Sequence, residues 1–175
     1  AQLHALGSAQ LAALATDDLN QFTANQFAAL TSKQLAGLTS NQMANLEPAD
    51  FAALTTAQLR GIAPASLAAL STELLSQLNS ADVASLTSGQ IAALDSADLR
   101  ALGNNTLAAL SGSQIATLST QQLAAASSEQ LQAIGTAQMA SLTSAQLASL
   151  DTQDLNTFTT AQFAALTTRQ IADLS

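Results

Sequence analysis

The chain of 175 residues carries 4 basic side chains against 12 acidic ones, and its formal net charge of −8 makes nucleic acid an unsuitable partner. The absence of cysteine excludes disulfides and thiolate metal sites. No apolar run reaches the roughly 18 residues of a transmembrane helix, and no basic-then-apolar signal peptide opens the sequence, so we expect no membrane insertion.

The sequence repeats every eight residues from its first residue to its last, without insertion or deletion. The unit is Thr/Ser-Ser/Thr-Ala-Gln-Leu-Ala-Ala-Leu, as in 143–150, and we label its positions a to h. Position e is large and apolar in all 22 copies, and position h in all but Ala126. A fixed period indicates a repeat architecture. We therefore predict one continuous solenoid over 1–175, cut from a longer array.

The residues of the octad favour helix over strand. Ala, Leu and Gln dominate, the alternation of a half-buried strand is absent, and β-branched and aromatic residues are few. One continuous helix is excluded because eight residues advance about 800°, so the apolar stripe would slip by about 80° per octad. The helix must therefore break once in every octad.

Two polar positions predict where each helix begins. Position a is Ser, Thr, Asp, Asn or Gly in 19 of 22 copies, which are the residues preferred at an N-cap. Position d, three residues later, is Gln or Asp in 19 of 22 copies and completes a capping box. The apolar residues on either side of the cap, such as Leu142 and Leu147, are spaced as a hydrophobic staple.

Glycines and prolines in chain order support the same boundary. Gly7, Gly103 and Gly135 fall at position a, where the preceding helix ends and a glycine can adopt positive φ. Pro48 and Pro64 fall at position b, the first residue of a helix, where a missing N–H costs nothing. The sequence thus predicts an all-α fold, an α-solenoid of very short helices of about two turns, one per octad, around a Leu-rich core.

The number of octads per superhelical turn is predicted as about four, with three as the alternative. Four sides put opposite helix axes roughly 12 Å apart, close to ordinary helix packing, whereas three sides leave only about 3–4 Å from each axis to the centre, which is cramped. Asp18, Asp50 and Asp82 recur every 32 residues, which favours four, whereas Phe27 and Phe51 lie 24 apart, which favours three. Ala at position f in 15 of 22 copies suits close stacking of the turns.

Three pairs of acids are the first candidates for chemistry: Glu47 with Asp50, Asp95 with Asp98, and Asp151 with Asp154. Paired carboxylates can serve in general acid–base catalysis or bind Ca²⁺. Each pair also occupies positions a and d, where carboxylates bind the free N–H groups of a helix N-terminus. We predict the capping role, because the pairs lack the dense oxygen ligands and the Gly turn of a calcium loop.

Five further residues depart from the octad consensus. His4 is the sole histidine, so we predict neither a metal site nor a catalytic dyad. Arg60 and Arg100 replace Ala at position f and are expected on an outer face. Leu74 replaces the box residue at position d and is a candidate interaction spot. Ala126 is predicted to leave a cavity or to let Leu neighbours repack.

Phe22, Phe27, Phe158 and Phe163 occupy positions e and h, so we predict them in the core and not in a cofactor box. The sequence has no Gly-rich phosphate loop, and its serines and threonines serve as caps with no base beside them. We therefore predict no catalytic, cofactor-binding or metal-binding residues, and no enzymatic activity.

The stretches 142–150, Leu-Thr-Ser-Ala-Gln-Leu-Ala-Ser-Leu, and 158–166, Phe-Thr-Thr-Ala-Gln-Phe-Ala-Ala-Leu, resemble tandem repeats of very large bacterial surface or secreted proteins. Those proteins are often labelled haem-utilisation or adhesin-like. The resemblance implies a surface or secreted location and, through the label, haem binding. The residues here do not support haem, because His4 is alone, Met43 and Met139 sit at core position e, and Tyr and Cys are absent.

The leading functional prediction is a structural spacer rod within a large exported bacterial protein. The alternative is a repeat scaffold that binds protein or glycan through its polar face. Ice binding by the rows of Ser and Thr is a distant third, because capping already uses the hydroxyls at position a. Exposed Leu ends without a polar capping repeat also predict end-to-end self-association.

Overall fold

Short α-helices follow one another at one per octad in the computed structural model, which describes residues 3–104 and 106–174 and only the backbone of His4. A 3₁₀-helix spans Leu3–Ala5. The α-helices are four to six residues long, and no helix in the described ranges is long and apolar enough to cross a bilayer. Their bounds are α1 Ser8–Ala12, α2 Thr16–Leu19, α3 Ala24–Ala28, α4 Ser32–Leu35, α5 Ser40–Ala44, α6 Pro48–Ala52, α7 Thr56–Gly61, α8 Pro64–Leu67, α9 Thr72–Leu75, α10 Ser80–Ser85, α11 Ser88–Ala93, α12 Ser96–Ala101, α13 Thr106–Ala109, α14 Gly112–Ile115, α15 Thr120–Ala124, α16 Ser128–Gln132, α17 Thr136–Met139, α18 Ser144–Ala148, α19 Thr152–Asn156, α20 Thr160–Ala164 and α21 Thr168–Ala172.

Each helix ends in a tight turn that shortens it relative to the two turns predicted. Except at Leu102, the N–H of the h residue donates to the carbonyl three residues earlier, as Leu150 does to Leu147 at 3.2 Å. This 3₁₀-type bond closes the helix before the next cap. The chain then passes through an extended residue at position a, such as Thr143 with φ −78° and ψ 153°, and the next helix begins.

The capping box is confirmed as the repeating start of a helix. In octad 143–150 the Thr143 side chain accepts from the Gln146 N–H at 3.2 Å. The Gln146 side chain in return accepts from the Thr143 N–H at 2.8 Å. Both bonds satisfy N–H groups that a helix leaves free at its N-terminus. A side chain at position a makes no such cap bond in α1, α2, α6, α8 and α17.

The prolines behave as predicted, but two of the three glycines do not. Pro48 and Pro64 each open a helix, α6 and α8. Gly103 has φ +85°, whereas the expectation of positive φ is wrong for Gly7 (φ −72°) and Gly135 (φ −73°). Those two glycines take the extended conformation of an ordinary N-cap, so their position does not need a left-handed residue.

The apolar residues at positions e and h form one continuous core along the chain. Leu142 and Leu147, the predicted staple pair, are both buried in it. The polar residues at a, b and c lie mostly outside, so the fold is an α-solenoid with a Leu-rich interior, as predicted.

Successive turns stack so that each helix packs against the helix three further along the chain. Helix α4 packs against α7, α7 against α10, and α8 against both α5 and α11. Side chains at position d nevertheless reach the octad four repeats earlier, for example from Gln42 to Leu11. Each helix therefore lies between the third and fourth helices of the adjacent turn. One turn of the solenoid therefore contains more than three and fewer than four octads, which are the two values that the sequence left open.

Adjacent turns approach each other closely where position g of one octad faces position b of the octad three repeats earlier. A Cβ added to Gly61 would lie 2.6 Å from the Ser32 Cβ, and one added to Gly37 would lie 2.4 Å from the Ser8 Cβ. Where position g is Ser85, its hydroxyl donates to the Thr56 carbonyl at 3.4 Å. Small residues at these positions let the turns stack this closely.

Candidate functional site

The glutamine at position d connects two turns of the solenoid. Gln90 is 1% exposed, and its Oε1 accepts from the Thr87 N–H at 2.7 Å within the capping box. Its Nε2 donates to the carbonyls of Leu59 and Ile62, both at 2.8 Å, four octads earlier. One amide thus serves a helix N-terminus with its oxygen and a helix C-terminus with its nitrogen. We call this arrangement the glutamine bracket.

The glutamine bracket recurs along most of the described chain. In the usual form, Nε2 binds the carbonyls 31 and 28 residues earlier, at positions e and h. Gln114 and Gln130 keep one of these two bonds and place the other on a neighbouring carbonyl. The residues that form a bracket are Gln34, Gln42, Gln58, Gln90, Gln114, Gln122, Gln130, Gln138, Gln146, Gln162 and Gln170.

Only an amide side chain of this length can make all of these bonds. A carboxylate supplies acceptors alone, whereas an amide offers one oxygen and two N–H donors. Sequence reasoning predicted the capping box and missed the inter-turn donor. A signal was present, because position d holds fourteen Gln, five Asp and no Glu. Glu would complete the box and favour the helix dipole, so its absence points to a need for the N–H donors.

Where position d is not Gln, the inter-turn bond is weakened or lost. The Ser66 hydroxyl reaches only the Leu38 carbonyl, at 3.5 Å. The Thr106 hydroxyl bonds instead to the Leu102 carbonyl of the adjacent octad. Leu74 is 2% exposed, so its prediction as an interaction spot is wrong. It lies in the continuous hydrophobic core.

Two of the acid pairs form capping boxes, as predicted. In octad 95–102, Asp98 N–H donates to Asp95 Oδ1 at 2.8 Å, and Asp95 N–H donates to Asp98 Oδ2 at 3.1 Å. Asp151 and Asp154 make the same reciprocal bonds. No group of three potential metal-binding His, Cys, Asp or Glu residues occurs in the described part of the chain.

The third pair departs from the predicted capping box. Glu47 makes no side-chain cap bond, and Asp50 is 4% exposed with Oδ2 lacking any hydrogen-bond partner among the described residues. Burial, and secondarily the charge of Glu47, raise the pKa of Asp50. Burial also raises the pKa of Asp98, an effect opposed by its bond from the Asp95 backbone and reinforced by the Asp95 charge.

The chain matches the model of the ALTTAQ repeat four times, at residues 12–48, 43–76, 91–128 and 139–175. It belongs to the ALTTAQ repeat family. No curated protein matches it. The family match confirms a tandem-repeat protein, and the repeated capping boxes and glutamine brackets show how the ALTTAQ octad forms a structural repeat.

The basic side chains of this ALTTAQ array are spread over its surface. Arg60 and Arg100 are exposed, as expected, and Arg100 Nε donates to the Ala125 carbonyl of a neighbouring turn at 2.6 Å. Arg169 approaches Asp173 at 3.9 Å in an exposed ion pair, an interaction that contributes little to stability. The candidate site at His4 lies outside the described side chains.

Phenylalanines pack in two pairs near the two ends of the array, one tilted with an interplanar angle of 54° and one edge-to-face with an angle of 62°. The ring centroids of Phe22 and Phe27 are 5.9 Å apart, and those of Phe158 and Phe163 are 5.7 Å apart. The prediction that all four lie in the core is wrong for Phe163, which is 41% exposed because no later turn of the described chain covers it. Met43, at core position e, is fully buried.

Three surface grooves occupy equivalent places in the repeat lattice. Each is lined by position h of one octad, positions a and b of the next, and positions a and d of the octad three repeats after that. The groove of about 460 Å³ between 142–145 and 167–170 is lined by Thr143, Ser144, Arg169 and Gln170, among others. These grooves follow from the stacking of the turns, and each is an open, partly polar channel.

Proposed function

We propose that this ALTTAQ array is a structural spacer rod within a large exported bacterial protein and performs no catalysis. The observation that carries the proposal is the repetition of one inter-turn bond, from the amide at position d to the carbonyls at e and h, from Gln34 to Gln170. A stack of repeats joined by a contact that recurs along it holds its length.

The polar residues support the same proposal. Hydroxyls and carboxylates at position a, such as Thr143 and Asp95, already bind helix N–H groups. A side chain engaged in a cap is not available as a nucleophile or a general base. The grooves recur with the lattice and have no convergent set of titratable groups. We therefore propose a mechanical role, with an exported location inferred from the resemblance of its octads to surface repeats.

The spacer proposal is tested by measuring two distances along the rod with paired spin labels. The chain contains no cysteine, so Asp17→Cys can be combined with Glu73→Cys or with Gln153→Cys, all at exposed c positions. At about 8–10 Å per turn of stacked helices, the label separations should be roughly 20 Å and roughly 45 Å. Narrow distributions that lengthen in this way support a rigid spacer, and broad or equal distributions contradict it.

Binding of protein or glycan through the polar face is the alternative function. The Ser and Thr side chains that line the lattice grooves, such as Ser144 and Thr143, are the observation that favours it. A glycan array probed with the labelled chain at micromolar concentration separates the two proposals. Selective retention of one glycan class would favour the scaffold, and we expect none. We also expect no thermal hysteresis, because the threonine hydroxyls at position a are used as caps.

A further inference from the structure

Two buried side-chain atoms in the described chain have no hydrogen-bond partner, and both are oxygens: Oδ1 of Asn20 and Oδ2 of Asp50. The Asp50 side chain is 4% exposed, and Asn20 is half-buried. A buried acceptor without a donor is costly, so each such atom in a folded protein requires an explanation. The two residues lie in octads 15–22 and 47–54, which are four repeats apart, the separation that a glutamine bracket spans.

The repeat lattice brings both oxygens to one contact between turns. Gln58 Nε2 donates to carbonyls 31, 30 and 28 residues earlier, at 2.9, 3.3 and 2.7 Å. The same intervals counted back from Asp50 lead to Leu19, Asn20 and Phe22. We call Leu19, Asn20, Phe22 and Asp50 the oxygen cluster. It lies inside the array, because the octads immediately before and after that of Asp50 keep their brackets.

The Asn20 amide presents its oxygen to the cluster and not its N–H groups. Its Nδ2 donates to the Asn45 carbonyl at 2.8 Å, in the segment that leads into α6. Exchanging the two amide atoms would place Oδ1 against the Asn45 carbonyl, and two acceptors cannot bond to each other. The bond to Asn45 therefore fixes the orientation in which Oδ1 is buried without a donor.

The oxygen cluster combines acceptors with negative charge and supplies no donor of its own. A carboxylate at Asp50 accepts only, so the Leu19 and Phe22 carbonyls lack the N–H donors that a glutamine brings to this contact. Glu47 adds a second negative charge, and no lysine or arginine forms an ion pair with either acid in the described chain. Carboxylate, asparagine amide and backbone carbonyl oxygens together are the ligands that Ca²⁺ takes in proteins.

The length of the aspartate side chain also suits a bridging ion. In a bracket the amide nitrogen lies 2.8 Å from the carbonyl at position e, as it does at Gln90. Aspartate is one methylene shorter, so at the same backbone spacing its oxygen is withdrawn by about 1.5 Å, to about 4.3 Å from that carbonyl. A cation with bonds of about 2.4 Å to both oxygens spans this separation.

We propose that the oxygen cluster binds Ca²⁺ through Asp50 Oδ2, Asn20 Oδ1 and the carbonyls of Leu19 and Phe22, with Glu47 adding negative charge nearby. The sequence around Glu47 and Asp50 shows no dense oxygen ligands, because the others come from an octad four repeats earlier. With one carboxylate as a direct ligand, the site is weak, with a dissociation constant of about 10⁻⁴–10⁻³ M. The ion joins two turns where the glutamine bracket is missing, a role that goes beyond the spacer function.

Other aspartates at position d differ from Asp50 in what their carboxylates bind. Oδ2 of Asp82, Asp98 and Asp154 accepts the N–H of the residue at position a of the same octad. Asp98 is 7% exposed, so it matches Asp50 in octad position, charge and burial while its carboxylate completes a capping box. Asp98→Asn is therefore the matched control for Asp50→Asn.

Titration of the whole chain with CaCl₂, at an ionic strength held constant with NaCl, tests the proposal. The melting temperature should rise by about 3–6 °C at about ten times the dissociation constant. In NMR spectra the same titration should shift the backbone amide signals of 19–22 and 47–51. Asp50→Asn should abolish both responses, and Asp98→Asn should keep them.

A gain-of-stability variant guards against a loss that comes only from misfolding. Asp50→Gln completes a glutamine bracket, so it should melt above the unaltered chain in calcium-free buffer and no longer respond to Ca²⁺. An unaltered chain that does not respond, an Asp50→Asn chain that responds equally, or amide shifts confined to other octads would overturn the proposal. The label distances test the spacer function separately.

Discussion

Residues 111–150 and residues 47–110 use the same octad but connect their turns differently. In 111–150 every octad has glutamine at position d, and each of these amides bonds to carbonyls of an earlier turn. In 47–110 only Gln58 and Gln90 do so. The other d positions there hold Asp50, Ser66, Leu74, Asp82, Asp98 and Thr106.

The comparison separates two contributions to the fold. Both regions bury all of their large e and h side chains, so the apolar core does not require the bracket. The bracket adds hydrogen bonds to buried helix C-termini, whose carbonyls are costly to leave unsatisfied. In region 47–110, Leu74 is buried but supplies no hydrogen-bond donor, and Asp50 has a buried carboxylate oxygen without a partner among the described residues.

The largest predicted effect comes from removing a bracket in 111–150. Gln146→Ala removes the side-chain acceptor of the Thr143 N–H in the capping box and leaves the Ile115 and Leu118 carbonyls, each bonded at 2.8 Å, without their donor. We expect a loss of about 2–4 kcal/mol in the free energy of unfolding. Gln26→Ala is the matched control, because it removes only a box and should cost about 1 kcal/mol. Equal losses in urea denaturation would show that the inter-turn bonds contribute nothing.

The close stacking of the turns is tested by two glycines that differ in their surroundings. Gly61→Ala brings a methyl group to 2.6 Å from the Ser32 Cβ and should destabilise by about 1–3 kcal/mol. Gly89→Ala lies inside α11 with only 4.0 Å contacts and should stabilise by about 0.5–1 kcal/mol. Thermal melting of both variants measures the difference between their stabilities. An unchanged melting temperature for Gly61→Ala would mean that the turns are stacked more loosely than the 2.6 Å distance indicates.

The buried acids of 47–110 predict a dependence of stability on pH. A pKa raised above the unfolded value of 3.8 means that folded Asp50 and Asp98 bind a proton more tightly than the unfolded chain. Their favourable contribution to the free energy of unfolding is present below the pKa of the unfolded chain. It is lost as the pH rises through the pKa of the folded chain. Glu129, whose pKa is lowered mainly by its own backbone N–H and then by Ser127, acts in the opposite direction.

Asp50→Asn isolates the contribution of that carboxyl. It removes a buried charge without a partner and should raise stability at pH 7 by about 1 kcal/mol, with a flatter pH profile. Asp18→Asn, at the same octad position but exposed, is the control and should change little. Urea denaturation of both variants at pH 4 and pH 7 makes the comparison. If Asp50→Asn left the dependence of stability on pH unchanged, the contribution assigned to the buried Asp50 carboxyl would be contradicted.

The smallest predicted effect is at Ala126, the small residue at position h. It is half-buried against the core, and its neighbours Leu123 and Leu131 are fully buried. Ala126→Leu should raise the melting temperature modestly, by the equivalent of about 1 kcal/mol, if the site retains room for the side chain. A lower melting temperature would show that the surrounding leucines have already filled the space.

Local features of the fold could be predicted from the octad because each is encoded within a few residues. Thr143 and Gln146 specify a box, Pro48 specifies a first helical residue, and positions e and h specify the core. The absence of Glu at position d indicates a need for amide donors, but the acceptors of the glutamine bracket could not be predicted, because they lie 28 and 31 residues away and depend on how the turns stack. Exposure of Phe163 likewise depends on whether another turn follows it, which position e alone does not encode.

Hydrogen exchange of the glutamine side-chain amides, followed by NMR, tests the central claim most directly. The account predicts that the Nε2 protons of bracket residues such as Gln90 and Gln146 exchange slowly, since both amides are buried and bonded to carbonyls of another turn. In dilute solution the Nε2 protons of Gln10 should exchange at the rate of an exposed amide. Equal, fast exchange at all of these side chains would contradict the glutamine bracket.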